Sequence, residues 1–393
     1  MAELSCLSLF PATSEQVVES RRRSHASWAR GLSMEHYLKR DEVMDFQEHA
    51  SNGKLVTWVL APRNDPSTLD FMCSFVIAHP DEIQRYRRSA AVATPGASTT
   101  SEVPGYGVAS VYTPPHKRGK GYAAHMMRLL HWVLAPRSSL PAFPSEWGAP
   151  PESPLQDARF SVLYSDIGKE FYFRAGPAPG EPGWTVVDAL STQWDVSPRP
   201  DAPRNSSQWR WLSRDDCIGI WEQDAELMKA DALVLARERQ KTLYTFLPDK
   251  GVGQFSIQRL MTFDDQLRPV YPLEPWGVQL LSGKSLTFAT WTFEPGTKVM
   301  VLTRLRCSAE DFPALLGALK FKAREFGLDT VETWNLPAYL QKAGDHFGAR
   351  TVERTDHLSA TRWYGSEPSE QTEWIFNEKY VLVTQTQLRP GES

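Results

Sequence analysis

Residues 108–134 read VASVYTPPHKRGKGYAAHMMRLLHWVL, and no other stretch limits the possible folds of this chain so much. A β-prone apolar run meets a Pro-Pro turn, then a basic glycine loop. After it, Ala123, Met126, Met127, Leu130, Val133 and Leu134 recur at helical spacing. Such a stripe needs a core to lie on, so the pattern predicts strand, turn and amphipathic helix. The turn suits an anion. A helix N-terminus presents unpaired N–H groups that converge on a phosphate, and Gly121 carries no Cβ to hold that phosphate away. Arg118 and Lys120 bring positive charge to the same spot. A lone G-x-G is a weak signal; flanked by strand and helix, it marks a candidate phosphate cradle.

The 393 residues allow two domains, and 41% apolar with 23% charged residues describes an ordinary globular chain. A net charge of −4 gives no global attraction to nucleic acid, and no basic stripe with interleaved aromatics is found. The run Arg21, Arg22, Arg23 falls in a helical segment and reads as a solvated face. Cys6, Cys73, Cys217 and Cys307 lie far apart without C-x-x-C spacing, which argues against structural zinc or a disulfide framework. No apolar run approaches the roughly 18 residues of a membrane span, and the N-terminus has no secretory pattern. The expectation is a cytoplasmic protein with no metal, nucleic-acid or membrane partner.

The fold class expected is α/β. Strands are predicted at 5–10, 55–61, 71–78, 107–112, 160–164 and 184–187. Helices are predicted from Glu15 through the arginines, over 34–50, after the glycine loop, and briefly over 168–175. Residues 91–102 read as a loop. Residues 136–157, with Pro136, Pro141, Pro144, Pro150, Pro151 and Pro154, read as an inserted surface loop. A second proline-rich stretch, 198–203, marks a boundary between an N-terminal domain (1–200) and a C-terminal lobe (201–393). That lobe repeats the order of the first in strand 299–306, helix 310–326, strand 330–334, helix 338–346 and strand 350–354. At its turn, Cys307-Ser308-Ala309-Glu310 replaces the basic glycine loop, so no phosphate cradle is expected there.

Arg118, Gly121 and Ala123 fit Arg/Gln-x-x-Gly-x-Gly/Ala, and on this motif the chain resembles the GCN5-related N-acetyltransferase (GNAT) superfamily. The strings LYSDIG-x-x-FY (163–172) and RTDHL-x-A-x-x-WYG (354–365), with GW at 183–184 and EWIFNEKY at 373–380, narrow the likeness. They resemble the fungal lysine N6-acetyltransferases of lysine catabolism, over nearly the whole chain to about Tyr380. The resemblance implies a GNAT fold with a mixed, splayed sheet and a degenerate GNAT-like C-terminal lobe. It implies acetyl-CoA as co-substrate and the side-chain amine of free L-lysine as acceptor. The tail at 380–383 and the longer proline-rich insertion depart from the family pattern, which leaves substrate choice open.

Acetylation needs an uncharged amine, and the lysine ε-amine has a solution pKa of about 10.4, so some group must accept its proton. By resemblance, the strand before the loop holds the pantetheine arm through Val111 and Tyr112. Arg118, Gly119, Lys120, Gly121, Tyr122 and Ala123 then bind the pyrophosphate. Tyr172 is the implied acid for the departing thiolate; Tyr164 is a second choice, and either ring could equally be core. Asp166, Glu332, Trp334, Asn335, Asp356 and His357 are candidates for the proton acceptor and amino-acid pocket, each with a structural role as the plain alternative. Two rival readings stand beside lysine acetylation. One is a transferase acting on a polyamine or peptide lysine, the other a non-catalytic acyl-CoA-binding protein.

Overall fold

The computed structural model describes residues 4–376 apart from 30, 48–49, 52, 79–89, 188, 197–207, 255–273, 283–284 and 294–296. The expected boundary at 198–203 and the tail at 380–383 lie outside the described residues.

Strand β1 (Leu7–Pro11) leads into helix α1 (Ser14–Trp28), where Thr13 and Gln16 cap each other reciprocally. Helix α2 (Met34–Asp45) follows, then β2 (Leu55–Pro62), β3 (Cys73–Ala78), β4 (Ala90–Ala93), β5 (Ser101–Val103) and β6 (Gly105–Tyr112). Beyond the glycine loop come α3 (Tyr122–Leu134), β7 (Phe160–Ser165), α4 (Glu170–Phe173), β8 (Thr185–Val186) and β9 (Leu190–Asp195). The second half holds β10 (Trp209–Leu212), α5 (Arg214–Arg239), β11 (Thr242–Phe246), β12 (Gly277–Leu280), β13 (Thr287–Phe293) and β14 (Val299–Arg306). It ends with α6 (Phe312–Glu325), β15 (Thr330–Trp334), α7 (Ala338–His346), β16 (Arg350–Glu353), β17 (Leu358–Trp363) and β18 (Thr372–Trp374).

From edge to edge the first sheet runs β1-β2-β3-β6-β7-β17-β8 and the second β10-β12-β13-β14-β15-β9-β16. The two orders correspond strand for strand, and in each the sixth strand comes from the other half of the chain. β9 pairs antiparallel with β15 (Ser191↔Trp334 to Asp195↔Thr330) and with β16. In return β17 pairs with β7 (Leu358↔Ser165 to Trp363↔Phe160) and with β8. A cut at residue 200 would therefore leave each sheet short of one strand. Backbone bonds close the crossing: Arg354 N–H donates to Ala189 O at 2.7 Å and Val187 N–H to Ser359 O at 2.8 Å.

The repeat of order holds. β14-α6-β15-α7-β16 follows β6-α3-β7-α4-β8, and β14 runs parallel to β15 as β6 does to β7. Before α6, however, the Asp311 carboxylate accepts from Ser308 Oγ (2.9 Å) and Thr287 Oγ1 (3.1 Å). A carboxylate standing at that helix start repels a phosphate.

Two expectations need correction. Residues 91–102 are no plain loop: β4 and β5 form a hairpin in a third sheet, ordered β18-β11-β4-β5. Its Tyr244 and Phe246 pack against Phe160 and, for Tyr244, Trp363 on the back of the first sheet. The run AAVA is too short to announce a strand without its partner. The arginine run is not a solvated face either. Arg21 Nη2 contacts both Asp45 oxygens at 2.7 and 2.9 Å, and Arg23 binds Glu19 and Phe71 O; only Arg22 is exposed. Helix α5 carries a Ser213/Asp216 capping box and was not anticipated. The proline-rich insertion packs down, with Trp147 buried and Arg63 Nη2 donating to Ala149 O. No helix among the described residues is long and apolar enough to cross a membrane.

Because each sheet needs a strand from the other half, thermal unfolding of the intact chain is expected as one calorimetric transition. Two resolved transitions would contradict the exchange.

Candidate active site

The cleft opens where two paired strands part. β6 and β7 are paired only from Gly105↔Phe160 to Gly107↔Val162, and beyond that point they diverge. On its other edge β6 is held to β3, but the register slips between Ser74 and Val76, and Ser110 takes φ +55°. A positive φ at a residue with a Cβ is uncommon, and here it marks a bulge that frees backbone from the ladder. The gap holds a cleft of about 510 Å³, lined by residues 108–113 of the bulged strand, the glycine loop, the start of α3, and Leu163, Tyr164, Asp166 and Tyr172. Trp28 of α1 closes one side, its ring edge-on to Tyr112 at 5.4 Å.

Gly119 and Gly121 both adopt left-handed angles, φ +72° and +78°. The protein leaves room for a Cβ at both, with only Leu4 Cδ1 at 3.8 Å from one at Gly121; the backbone angle is what demands glycine. Gly121 is the N-cap of α3 and no side chain caps the helix. Among the described residues, the N–H groups of 119–124 have no protein acceptor. A row of unpaired donors at a helix start, with exposed Arg118 and Lys120 nearby, is a cradle for a multiply charged anion. Arg118 Nε donates to Thr113 O at 3.0 Å. Lys120 does not line the cleft, and Lys117, which does, is held by Asp70 at 2.6 Å. The Tyr122 ring is buried in the core beneath α3.

Tyr172 lies in the same cleft. Burial, and then the charge of Asp166, raise its phenol pKa above the ordinary value, so it stays protonated. Its carbonyl accepts from Trp184 N–H (3.1 Å) and Ala175 N–H (3.2 Å). A buried relay holds those partners. His131 Nε2 lies 2.9 Å from Ala175 O, His131 Nδ1 2.9 Å from Tyr364 Oη, Tyr364 Oη 3.1 Å from Ser161 Oγ, and Trp184 Nε1 donates to Ser161 Oγ at 2.9 Å. A carbonyl only accepts, so Nε2 carries the imidazole proton, Tyr364 donates to Nδ1 and Ser161 donates to Tyr364. Every member is satisfied.

Of the residues expected to contact an amino acid, only Asp166 lines the cleft. His357 stands behind it: its N–H donates to Asp166 Oδ1 at 3.0 Å, and Nδ1 lies 2.5 Å from the same oxygen, out of line for a hydrogen bond. Trp334 stacks on His357 at 6.1 Å and lies 5.9 Å from Tyr164. The structure thus brings Asp166, His357 and Trp334 together but keeps Trp334, Asp356 and His357 out of the cleft. Asn335 serves the strand exchange, with Oδ1 accepting from Leu190 N–H at 3.1 Å. Glu332 accepts from Trp334 Nε1 and Gln193 Nε2, while Asp356 is exposed. Sequence reasoning missed Ser110, whose bulge leaves no mark in composition, and Trp28. It also missed Arg354, which donates to His357 O at 2.5 Å and stacks on Trp334 at 3.8 Å. Among the described residues no cluster of His, Cys, Asp and Glu could hold a metal.

Residues 193–383, just under half of the chain, match a family model described as the LYC1 GNAT-like C-terminal domain. A probable N-acyltransferase from Enterococcus faecalis V583, a protein of unknown function, superposes with TM-score 0.51 at 11% identity, covering 91% of this chain and 73% of that one. The fold is the GNAT fold, present twice. A GCN5-related N-acetyltransferase from Kribbella flavida (14% identity, 91% and 72% covered, TM-score 0.46) and a tandem GNAT protein from the clavulanic acid biosynthesis pathway (12%, 92% and 100%, 0.41) are also similar. At these identities the likeness concerns fold and not substrate. No curated protein matches the chain.

Two outcomes follow from the geometry. Gly121→Val forces a β-branched residue into a left-handed angle, at a cost of ~1–2 kcal/mol. The loop should rearrange and CoA binding should weaken more than about tenfold, read by calorimetry; unchanged affinity would mean that the cradle lies elsewhere. The second concerns acid. Burial lowers the pKa of His131 to about 3 and that of His125 to about 4, against about 6.5 when unfolded. The unfolded chain therefore binds more protons below pH 6.5, and the free energy of unfolding, that is the stability, should fall as pH drops from 6.5 towards 4. His131→Asn should make that slope shallower in denaturant titrations, and an unaltered slope would contradict the neutral, buried imidazole.

Proposed function

We propose that this protein is an acetyl-CoA-dependent N-acetyltransferase whose acceptor is the side-chain amine of free L-lysine. One observation carries the transferase reading: the parted strands, the Ser110 bulge, the anion cradle at 119–124 and the protonated Tyr172 all face a single cleft. The choice of lysine rests on the strings at 163–172 and 354–365, which resemble those of the fungal lysine N6-acetyltransferases.

In this reading the cradle and Arg118 fix the pyrophosphate of acetyl-CoA, and freed backbone at 109–111 holds the pantetheine arm and polarises the thioester carbonyl. Asp166, steadied by His357, accepts a proton from the lysine ammonium directly or through water. The neutral amine nitrogen bonds to the carbonyl carbon, the carbon–sulfur bond breaks, and sulfur keeps the electron pair. Tyr172 donates its proton to that thiolate and regains one, through water, from the acetylated nitrogen, which sheds its second proton to become the amide, while Asp166 releases its proton to solvent. The products are N6-acetyllysine and CoA, and neither oxidant nor metal is needed to balance them. Burial and the Asp166 charge keep Tyr172 protonated, so a proton is still present on the phenol when the thiolate forms.

Release of CoA thiol should be followed with L-lysine, ornithine, spermidine and a lysine-containing peptide, with the acetyl position read by mass spectrometry. Selective turnover of lysine at its side-chain amine is the expected result. Turnover of another amine alone would overturn the substrate, and no turnover despite acetyl-CoA binding would favour a non-catalytic acyl-CoA-binding protein. Tyr172→Phe should lower kcat by roughly 10²-fold or more with acetyl-CoA affinity unchanged. An unaltered kcat would assign the acid role to water.

A further inference from the structure

A second chamber of about 350 Å³ lies between α1, α2 and strands β2, β3 and β6. It shares Trp28, Ala109 and Ser110 with the acyl cleft, so the two meet at the bulge. Among the described residues its wall carries four charged side chains: Arg21 and Arg40, Asp41 and Asp45. They interlock, with Arg21 on Asp45 at 2.7 Å and 3.8 Å from Asp41, and Arg40 on Asp41 at 2.8 Å. Arg40 is buried, 8% exposed, and its guanidinium lies 4.2 Å over the Tyr37 ring.

This quartet sums to zero charge, which decides what it can admit. A free amino acid arrives with one carboxylate and one α-ammonium, and the wall offers two cations and two anions to match. Ligand and wall can exchange partners without leaving any buried charge uncompensated. A diamine or polyamine would draw on the carboxylates and leave an arginine without a counter-ion, a cost comparable to breaking a buried pair. A bracing role for α1 against α2 would need the ion pairs, but it would not need them on the wall of a chamber that opens on the bulge.

We propose that this chamber is the acceptor site and that it selects a free α-amino acid bearing a side-chain amine. Arg40 and Arg21 take the carboxylate and Asp41 and Asp45 the α-ammonium, while the side-chain amine passes Trp28 towards Ser110. The assignment rests on the lysine reading above and adds the residues that make the carboxylate necessary.

The test compares L-lysine with 1,5-diaminopentane, the same chain without its carboxylate, in the wild type and in Arg40→Gln and Arg40→Lys. The wild type should prefer lysine by at least about tenfold in kcat/KM. R40Q should raise KM for lysine by a similar factor, erase the preference over diaminopentane, and leave KM for acetyl-CoA unchanged. R40K, which keeps the charge, should recover part of the preference and serves if R40Q fails to fold. Lysine turnover with an unaltered preference in both variants would overturn the chamber while sparing the lysine reading. Equal use of the two amines by the wild type would also overturn it. No turnover of lysine by the wild type would overturn both.

Discussion

The exchange of β9 for β17 is the constraint on which the rest of this structure depends. A strand in sixth position has neighbours on both sides, so its loss would strip hydrogen bonds from two strands at once. The exchange also ties the second half of the chain to the chemistry of the first. β17 lies beside β7, the strand that carries Tyr164 and is followed directly by Asp166. The turn before β17 supplies His357 to Asp166, and Tyr364 after it joins the relay below Tyr172. At the turn before α6 the C-terminal lobe has no phosphate cradle; what the lobe provides is support behind the first lobe's cleft, through His357 on Asp166 and Tyr364 in the relay.

The local geometry then follows from few departures from regularity. β6 could pair along its whole length with both neighbours, but it keeps β7 for three residues only and slips against β3. Those lost bonds leave backbone free at the meeting point of two chambers, one with unpaired helix-start donors and one with interlocked charges. An ordinary sheet would have no such opening. Strained φ at Ser110, left-handed glycines at 119 and 121 and a buried phenol at 172 gather at this one place, as expected where function is kept at the expense of local stability.

Much of this was legible from residue order. The stripe of α3 and the glycine loop announced the strand–turn–helix unit, and the replacement of that loop by Cys307-Ser308-Ala309-Glu310, without glycine, distinguished the second lobe from the first. Other features are set by tertiary contact and leave little local trace. A hydrophobic alternation says that 358–363 is a strand but not which sheet receives it, so the boundary at 200 missed the exchange. AAVA gains its strand character from β11, and Arg21 gains its role from Asp45, which lies on another helix. Trp334 and Asp356-His357 are expected from the sequence in the amino-acid pocket, whereas the structure sets Trp334 and His357 behind Asp166 and leaves Asp356 exposed, because a sequence string cannot distinguish a wall from its support.

The most direct measurement is a crystal structure of the protein with CoA and L-lysine bound together. The account predicts pyrophosphate oxygens on the N–H groups of 119–124, the thiol between Ser110 and Tyr172, and the lysine side chain arriving at the bulge from the opposite side. A CoA molecule bound away from the parted strands, or a lysine that does not reach the bulge, would contradict it.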